Sequence, residues 1–552
     1  MTTITTPSIH GITPWPASLA KHYVDTGIWD NLSLYSHLTE AAATEPERVA
    51  ISDAGTGKSI SYGELLNRSE TAAQRFVDLG LVKDDRVVIA LPNGWQFLVV
   101  VLAFLRVGII PVLALPAHRH HELRAISDKA QAKAFVSADV VRDFNYQELA
   151  DHLRGEVPSL ELVLVSGTAE EGNIPLDELL APGEDGDFYT GPLPHGNDPA
   201  LFLLSGGTTG IPKLIVRTNN DYAYNVRKCS EVAGLTAKSV YLAAMPVSHN
   251  FPLACPGVFG ALYLGAHVVT LPSPNPVKAF PVVRQYGVTD TAVVPAIAQR
   301  WIDYQEGSQS HDLESLAVVQ VGGSRMPDAL ARKVEPVLGA RLQQVFGMAE
   351  GLINMTRLDD DPELICTTQG RPVSPEDRIR IVNESFQDVE AGERGEIIVQ
   401  GPYTPRGYYN DPEANERSFH DGWYCPGDVV EKRTDGYLVV HGRNKDIINR
   451  GGEKISAEEI ESLVYEIPGI QLAAIIGMPD EVFGERICLY VTPTEGMEVT
   501  LEDVRKHLER LKVATYKLPE RLEVRASLPM TKVKKIDKKS LRDDISRILE
   551  RN

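Results

Sequence analysis

A chain of 552 residues is longer than a single hydrophobic core serves, so at least two folding units are expected. With 43% hydrophobic and 24% charged residues, 44 Gly and 36 Pro, its composition is that of an ordinary globular protein and excludes fibrous and disordered classes. The formal charge of −20, from 75 acidic against 55 basic residues, repels polyanions and argues against nucleic acid as a partner.

The opening MTTITTPSIHGITPWPASL lacks the basic start and continuous apolar run of a signal peptide, so no export is expected. The stretch from Phe97 to Leu115 is the most membrane-like, but Arg106, Gly108 and Pro111 interrupt it. A buried helix running into a buried strand is the better reading, with no membrane partner. From about Leu32 to Val440, helical patterns alternate with apolar runs such as RVVIALP, KAFVSA, LELVLVS, ALFLLS, HVVTLP and LAVVQVGG. Runs apolar on both faces are strands covered by helices, so the class is α/β, with several mixed sheets layered with helices. The segment His118-Arg119-His120-His121 invites a metal-site reading, but imidazoles at that spacing do not share a helical face, and a loop after Pro116 is expected instead.

After Gly442 the chain becomes charged and glycine-rich, as GRNKDIINRGGEKIS, and a smaller α+β unit follows. The boundary is placed between a large domain of residues 1–443 and a small domain of residues 444–552. In the small domain Ser456 and Glu459 form a capping box for a helix with Ile460, Leu463, Val464 and Ile467 on one face. Thr500 and Asp503 open another, with Val504, Leu508 and Leu511 facing the core, and LAAIIGMP and RICLYVTP are the strands between. The cysteines Cys229, Cys255, Cys366, Cys425 and Cys488 form no CxxC pair, which argues against zinc and disulfide frameworks and fits a reducing cytoplasm.

The strongest local signal for chemistry is Leu204-Ser205-Gly206-Gly207-Thr208-Thr209-Gly210-Ile211-Pro212-Lys213, directly after an apolar strand. Bare backbone amides, hydroxyls and one lysine suit a polyphosphate, although the spacing is not that of a Walker A loop and no GxGxxG occurs. Together with QVFGMAE, GWYCPGD, GRNKDIINRGGEKI and PMTKVKK, in that order, it resembles the adenylate-forming superfamily of acyl-CoA synthetases, peptide-synthetase adenylation domains and luciferases. PVSHNFPLACPGVFGALYLGAHVV and QVFGMAEGLINMTRLDDD look most like the freestanding aryl-acid adenylating enzymes of siderophore and related peptide biosynthesis.

The resemblance implies a carboxylic acid attacking the α-phosphate of ATP, release of pyrophosphate, and capture of the acyl-adenylate by a phosphopantetheine thiol. By the same resemblance Lys535 bridges the carboxylate and the α-phosphate, and Glu350 holds Mg²⁺. Ser205, Gly206, Gly207, Thr208, Thr209, Gly210 and Lys213 line the phosphates, while Asp428 clamps the ribose with Arg443 assisting. Gly322 and Gly323 allow close approach of backbone to acyl ring and adenine, and Val345, Phe346, Gly347 and Ala349 wall the pocket. Lys445 is the hinge about which the small, mobile domain turns between two half-reactions, and Arg450 and Lys454 line the pantetheine approach. The family's terminal motif has small glycines where this chain has Lys532 and Lys534, which puts its register in question.

The acid pocket implied by the resemblance contains His249, Asn250, Phe251, Cys255 and Ile353. Amino-acid-activating relatives carry an aspartate there, which this chain lacks, and the Asn250 amide suits an ortho hydroxyl. A thiol at Cys255 is a weak partner for a 3-hydroxyl, which favours salicylate or a substituted salicylate over 2,3-dihydroxybenzoate. Anthranilate and 3-hydroxypicolinate remain open, because an amide offers either its oxygen or its nitrogen. No carrier domain follows Asn552, so an aryl or peptidyl carrier protein in trans is the expected thiol partner. An acyl-CoA ligase, an inactive binding homologue and a luciferase-like oxidase are the competing readings.

Overall fold

Apolar strands without polar alternation need cover on both faces, and they find it in parallel sheets flanked by helices. The computed structural model describes residues 9–550 except 142, 185, 206–211, 444, 445, 451, 452, 481, 482, 512, 514, 532 and 533. Arg86–Ala90 lies parallel between Ile110–Leu113 and Ala134–Ala138, which in turn pairs with Leu162–Ser166. These form the middle of a 7-stranded sheet that ends in the antiparallel hairpin of Pro199–Leu204 and Leu214–Thr218. A 9-stranded sheet holds Val240–Ala243, His267–Thr270, Asp290–Val293, Val318–Gly322 and Arg341–Met348 in parallel, with Gly351–Met355 antiparallel at one side. A 6-stranded antiparallel sheet carries Asp428–Lys432 and Leu438–Arg443.

The membrane-like stretch becomes the helix Trp95–Val107, eleven of whose side chains are buried, ended by Gly108 at φ 89° before the strand Ile110–Leu113. Its apolar surface is spent on the core shared by the two larger sheets, where Phe104 meets Phe76 with ring centroids 4.8 Å apart. Among the described residues no helix is long and apolar enough to cross a membrane. The loop expected through the histidine segment stops at Arg119, and His120 and His121 open the helix His120–Ala130. Glu122 closes that helix start by accepting from the Arg119 amide at 3.0 Å, a local cap the pattern reading missed.

In the small unit Ile470–Asp480 and Gly484–Pro493 form a long antiparallel pair in a 5-stranded sheet. Ser456 caps Ala457–Val464 by accepting from the Glu459 amide at 3.2 Å, and Thr500 caps Leu501–Arg510 in the same way. The capping box expected at Ser456 is only half formed, because the Glu459 carboxylate accepts from Lys517 and from Arg394 of the large unit. Leu511 is 39% exposed rather than core, since its helix ends at Arg510. Ser456 also donates to the His441 carbonyl at 2.6 Å, and the Asp328 amide donates to Ser462 at 3.4 Å, so polar contacts seat this unit on the large one.

Candidate active site

The turn that follows Pro199–Leu204 is closed at its base by two bonds. The Ser205 amide donates to the Lys213 carbonyl at 3.0 Å, and the Lys213 amide to the Ser205 hydroxyl at 3.0 Å. Gly206, Gly207, Thr208, Thr209 and Gly210 lie outside the described residues. Just before the next strand, Leu214–Thr218, the Lys213 side chain lies on the ring of Tyr408, Nζ standing 4.6 Å from the centroid. Tyr408 arrives from a distant loop because its neighbour Tyr409 donates to the Leu214 carbonyl at 2.8 Å. Its hydroxyl donates to Glu350 at 2.9 Å and meets the Tyr424 hydroxyl at 3.2 Å, while Asp428 acts electrostatically on Tyr424. Burial lowers the Lys213 pKa, and the Glu350 charge opposes that shift. One lysine, two carboxylates and two phenols thus share one polar cluster.

A second cluster forms where the small unit reaches the large one. Thr531 and Lys535 tie off a tight turn, the Lys535 amide donating to the Thr531 hydroxyl at 3.1 Å and the Thr531 amide to the Lys535 carbonyl at 2.6 Å. Lys534 sits in this turn at φ 65°, a left-handed conformation that favours glycine, which gives a physical reason for glycine in the related motif. Lys532 lies outside the described residues. The Lys535 side chain lands on Gly323, whose absent Cβ would stand 3.2 Å from the lysine Cε. Gly323 has φ 88°, and a Cβ on Gly322 would fall 2.8 Å from the Val345 carbonyl and 3.0 Å from Phe251, so both glycines are needed for close approach. His249, which accepts from the Phe251 amide at 3.2 Å, is held down to about 4 by burial and by the Lys535 charge.

Behind this edge lies a buried polar row of Tyr222, Asn250, Cys255 and Cys229. The Tyr222 hydroxyl donates to Asn250 Oδ1 at 2.8 Å and Asn250 Nδ2 donates to Cys255 Sγ at 3.3 Å, while burial, with Cys255 beside it, pushes the Cys229 thiol pKa up. Asn225 fixes the turn by donating to the Ala254 carbonyl at 2.7 Å. Ile353 lies against Gly347, where a Cβ would come within 2.5 Å of its Cδ1. Arg217 lies between Tyr222 and the residue before Glu350: it donates to Asp221 at 2.7 Å and to the Ala349 carbonyl at 2.9 Å, with its guanidinium 4.7 Å over the Tyr222 ring.

The structure therefore brings together Lys213, Glu350 and Asp428 in one group and His249, Phe251, Gly322, Gly323, Val345 and Lys535 in another, with Asn250 and Cys255 behind. Phe346 and Ala349 are half-buried beside the core of the large unit. Arg443 stands opposite Asp428 in the strand ladder, and Lys454 opposite Asn449; their side chains, like Lys445, lie outside what is described. Arg450 joins neither cluster, donating to Glu520 at 2.7 Å with its guanidinium 4.3 Å over the Phe483 ring. Tyr222, Cys229, Arg217, Tyr408 and Tyr424 were missed by sequence reasoning. Only Tyr424, inside GWYCPGD, carried a visible signal.

A layered α/β unit, onto whose paired glycines a second unit lowers a lysine, is the build of an adenylate-forming ligase. The chain belongs to the AMP-binding enzyme family: the AMP-binding enzyme model matches residues 38–409 and the AMP-binding enzyme C-terminal domain model residues 459–535. It is 48% identical over 539 residues to a Salicylyl-CoA synthase / salicylate adenylyltransferase of Streptomyces sp, covering 97% of each chain. It is 46% identical to the 2-hydroxy-7-methoxy-5-methyl-1-naphthoate–CoA ligase of Streptomyces carzinostaticus, covering 99% of each. Among solved structures, apo MbtA of Mycobacterium smegmatis is similar at TM-score 0.74 and 42% identity, over 97% of this chain and 98% of that one.

Proposed function

We propose that this enzyme activates an ortho-hydroxylated aromatic acid, salicylate or a substituted salicylate, as its acyl-adenylate and passes the aryl group to the phosphopantetheine thiol of a carrier protein. The observation that carries the substrate class is the buried Asn250 amide at the pocket floor, with Tyr222 and Cys255 as its hydrogen-bond partners. A neutral amide suits a phenolic hydroxyl and carries no charge to pair with an amino acid's ammonium. The names of the relatives in Streptomyces, both for 2-hydroxyaryl acids, support the same class.

In this reading a carboxylate oxygen attacks the α-phosphorus of ATP, the bond to the bridging oxygen breaks, and pyrophosphate leaves. Charge grows on the non-bridging oxygens, where a cation placed beforehand acts best. Lys535, poised on Gly323, supplies that cation to the α-phosphate and the acid, and Lys213 with the turn at 205–213 holds the outer phosphates. His249 is neutral at neutral pH, so it packs against the acid without competing for its charge. Asp428 accepts from the ribose hydroxyls, with Arg443 beside it in the ladder. Among the described residues no group of three metal-ligating side chains exists, so a divalent ion at Glu350 would complete its shell from phosphates and water. That donor set fits Mg²⁺, which when bound neutralises phosphate charge. We assign the large domain to residues 1–443 and the small one to 444–552, turning about Lys445 so that Arg450 and Lys454 approach the pantetheine in the second half-reaction.

The names of both Streptomyces relatives include CoA, which favours CoA as a second acceptor reading. Acid-dependent ATP–pyrophosphate exchange across salicylate, methylsalicylates, 2,3-dihydroxybenzoate, benzoate, amino acids and fatty acids tests the first half-reaction. Salicylate-type preference is expected, and exchange confined to other acids would overturn the pocket reading. Product formation with a phosphopantetheinylated aryl carrier protein against CoA tests the second; full turnover with CoA alone would overturn the carrier assignment.

A further inference from the structure

Which end of the Asn250 amide meets the ring substituent depends on what lies behind it. Tyr222 is fully buried on the helix Asn219–Ala233, between the Arg217 guanidinium and the edge of Phe259, whose ring centroid is 6.1 Å away. Among the described residues the Tyr222 hydroxyl has one hydrogen-bond partner, Asn250 Oδ1 at 2.8 Å. A buried O–H must donate, and burial keeps this phenol protonated by raising its pKa well above the ordinary value. Turning the amide over would set Nδ2 against the hydroxyl and leave its proton without an acceptor. The same turn would exchange the bond from Nδ2 to Cys255 Sγ for one donated by a thiol, a weaker arrangement. Both neighbours therefore select one orientation: oxygen towards Tyr222, nitrogen on the Cys255 side.

We propose that Tyr222 is a specificity-determining positioning residue that fixes the Asn250 amide with its nitrogen towards the substrate, so that the pocket accepts ortho-hydroxy acids and rejects ortho-amino acids. This rests on the proposed function, because it requires that the ring edge pass Asn250 and Cys255. In salicylate the 2-hydroxyl donates internally to the adjacent carboxylate, and its oxygen is left to accept from the remaining N–H of Asn250. In anthranilate the 2-amino group also donates to the carboxylate, but its second N–H meets the amide N–H and its lone pair is delocalised into the ring. Two donors then face each other with no acceptor between them. The alternative that a free amide leaves open, in which its oxygen receives the amino group, is closed by Tyr222.

The test compares kcat/KM for salicylate and anthranilate in ATP–pyrophosphate exchange, in the full chain and in Tyr222→Phe, with Asn250→Leu as a second variant. The unaltered protein should prefer salicylate by about 100-fold or more, as expected of a site built to hydrogen-bond one substituent. Tyr222→Phe should narrow that ratio by about 10-fold or more, through a rise in KM for salicylate and a fall in KM for anthranilate, because the freed amide can turn. General damage to the fold would lower both acids alike and leave the ratio in place, so an unchanged ratio in Tyr222→Phe overturns the proposal. If that variant does not fold, Asn250→Leu decides: a collapsed ratio supports discrimination by the amide, and a retained ratio overturns it. Equal use of both acids by the unaltered protein overturns the inference while leaving adenylation intact. Exchange with neither acid overturns the proposed function itself.

Discussion

Arg217→Ala should destabilise the large unit by about 3–5 kcal/mol, the cost of stranding one member of a buried ion pair. The side chain is 0% exposed and makes three polar contacts: Nε to Asp221 at 2.7 Å, Nη1 to the Ala349 carbonyl at 2.9 Å and Nη2 to the Tyr403 carbonyl at 3.2 Å. Hydrogen bonds from a charged donor contribute about 1.5–3 kcal/mol each, so losing all three is more than enough to reach that range. Among the described residues the Asp221 carboxylate then keeps the Thr218 amide at 2.7 Å and the Thr218 hydroxyl at 2.6 Å. Burial already raises its pKa against the opposing Arg217 charge, and removing that charge raises it further.

Urea unfolding followed by tryptophan fluorescence is the assay, because Trp15, Trp29, Trp95, Trp301 and Trp423 all belong to the large unit. Arg217→Met combined with Asp221→Asn removes both charges and should cost less than the sum of the two single changes, by about 1–3 kcal/mol of coupling. The functional consequence follows from Ala349, whose carbonyl Arg217 holds next to Glu350; loosening that turn should raise KM for ATP–Mg²⁺ more than KM for the acid. A loss below about 1 kcal/mol for Arg217→Ala, or strict additivity in the double change, would refute the view that this pair braces the site.

Lys535→Ala should abolish acid-dependent pyrophosphate exchange, a loss of at least about 100-fold, while largely sparing transfer from supplied acyl-adenylate. Equal loss of both steps would contradict a lysine that serves only the first. Cys255→Ser, which replaces a weak thiol partner of Asn250 with a hydroxyl, should improve 2,3-dihydroxybenzoate relative to salicylate by about 10-fold in kcat/KM; an unmoved ratio would remove Cys255 from the specificity argument. His249 should make the protein acid-sensitive, since its folded value of about 4 lies below that of an ordinary histidine, near 6.5, and the unfolded chain takes the proton first. Its contribution is complete above pH 6.5 and is lost as pH falls towards 4, amounting to about 3 kcal/mol at most. Melting temperatures between those pH values should fall less steeply in His249→Gln than in the unaltered chain, and parallel slopes would refute the assignment.

Local spacing and chemistry were enough for much of the fold. The runs RVVIA, AFVSA and LVLVS are strands because apolar residues fill both of their faces, and the helix Trp95–Val107 stops at Gly108 because a left-handed cap suits glycine. Ser456 and Thr500 cap helices for reasons confined to four residues. The order of the five motifs also declared the family, since each motif's chemistry is carried by neighbours in the chain. Errors arose where a local rule met a tertiary competitor: Glu459 satisfies Arg394 and Lys517 instead of its own helix start, and the core face expected to include Leu511 ends a residue early.

Function depends on meetings that no local rule encodes. Lys535 reaches Gly323 only because the small unit docks, and Tyr408 reaches Glu350 only because its loop joins the strand Leu214–Thr218. The orientation of Asn250 is the sharpest case. An asparagine in isolation is symmetric between donor and acceptor, and the sequence could name it as a ring partner without saying which end it offers. That choice belongs to Tyr222, 28 residues away on another helix, whose buried proton has one place to go.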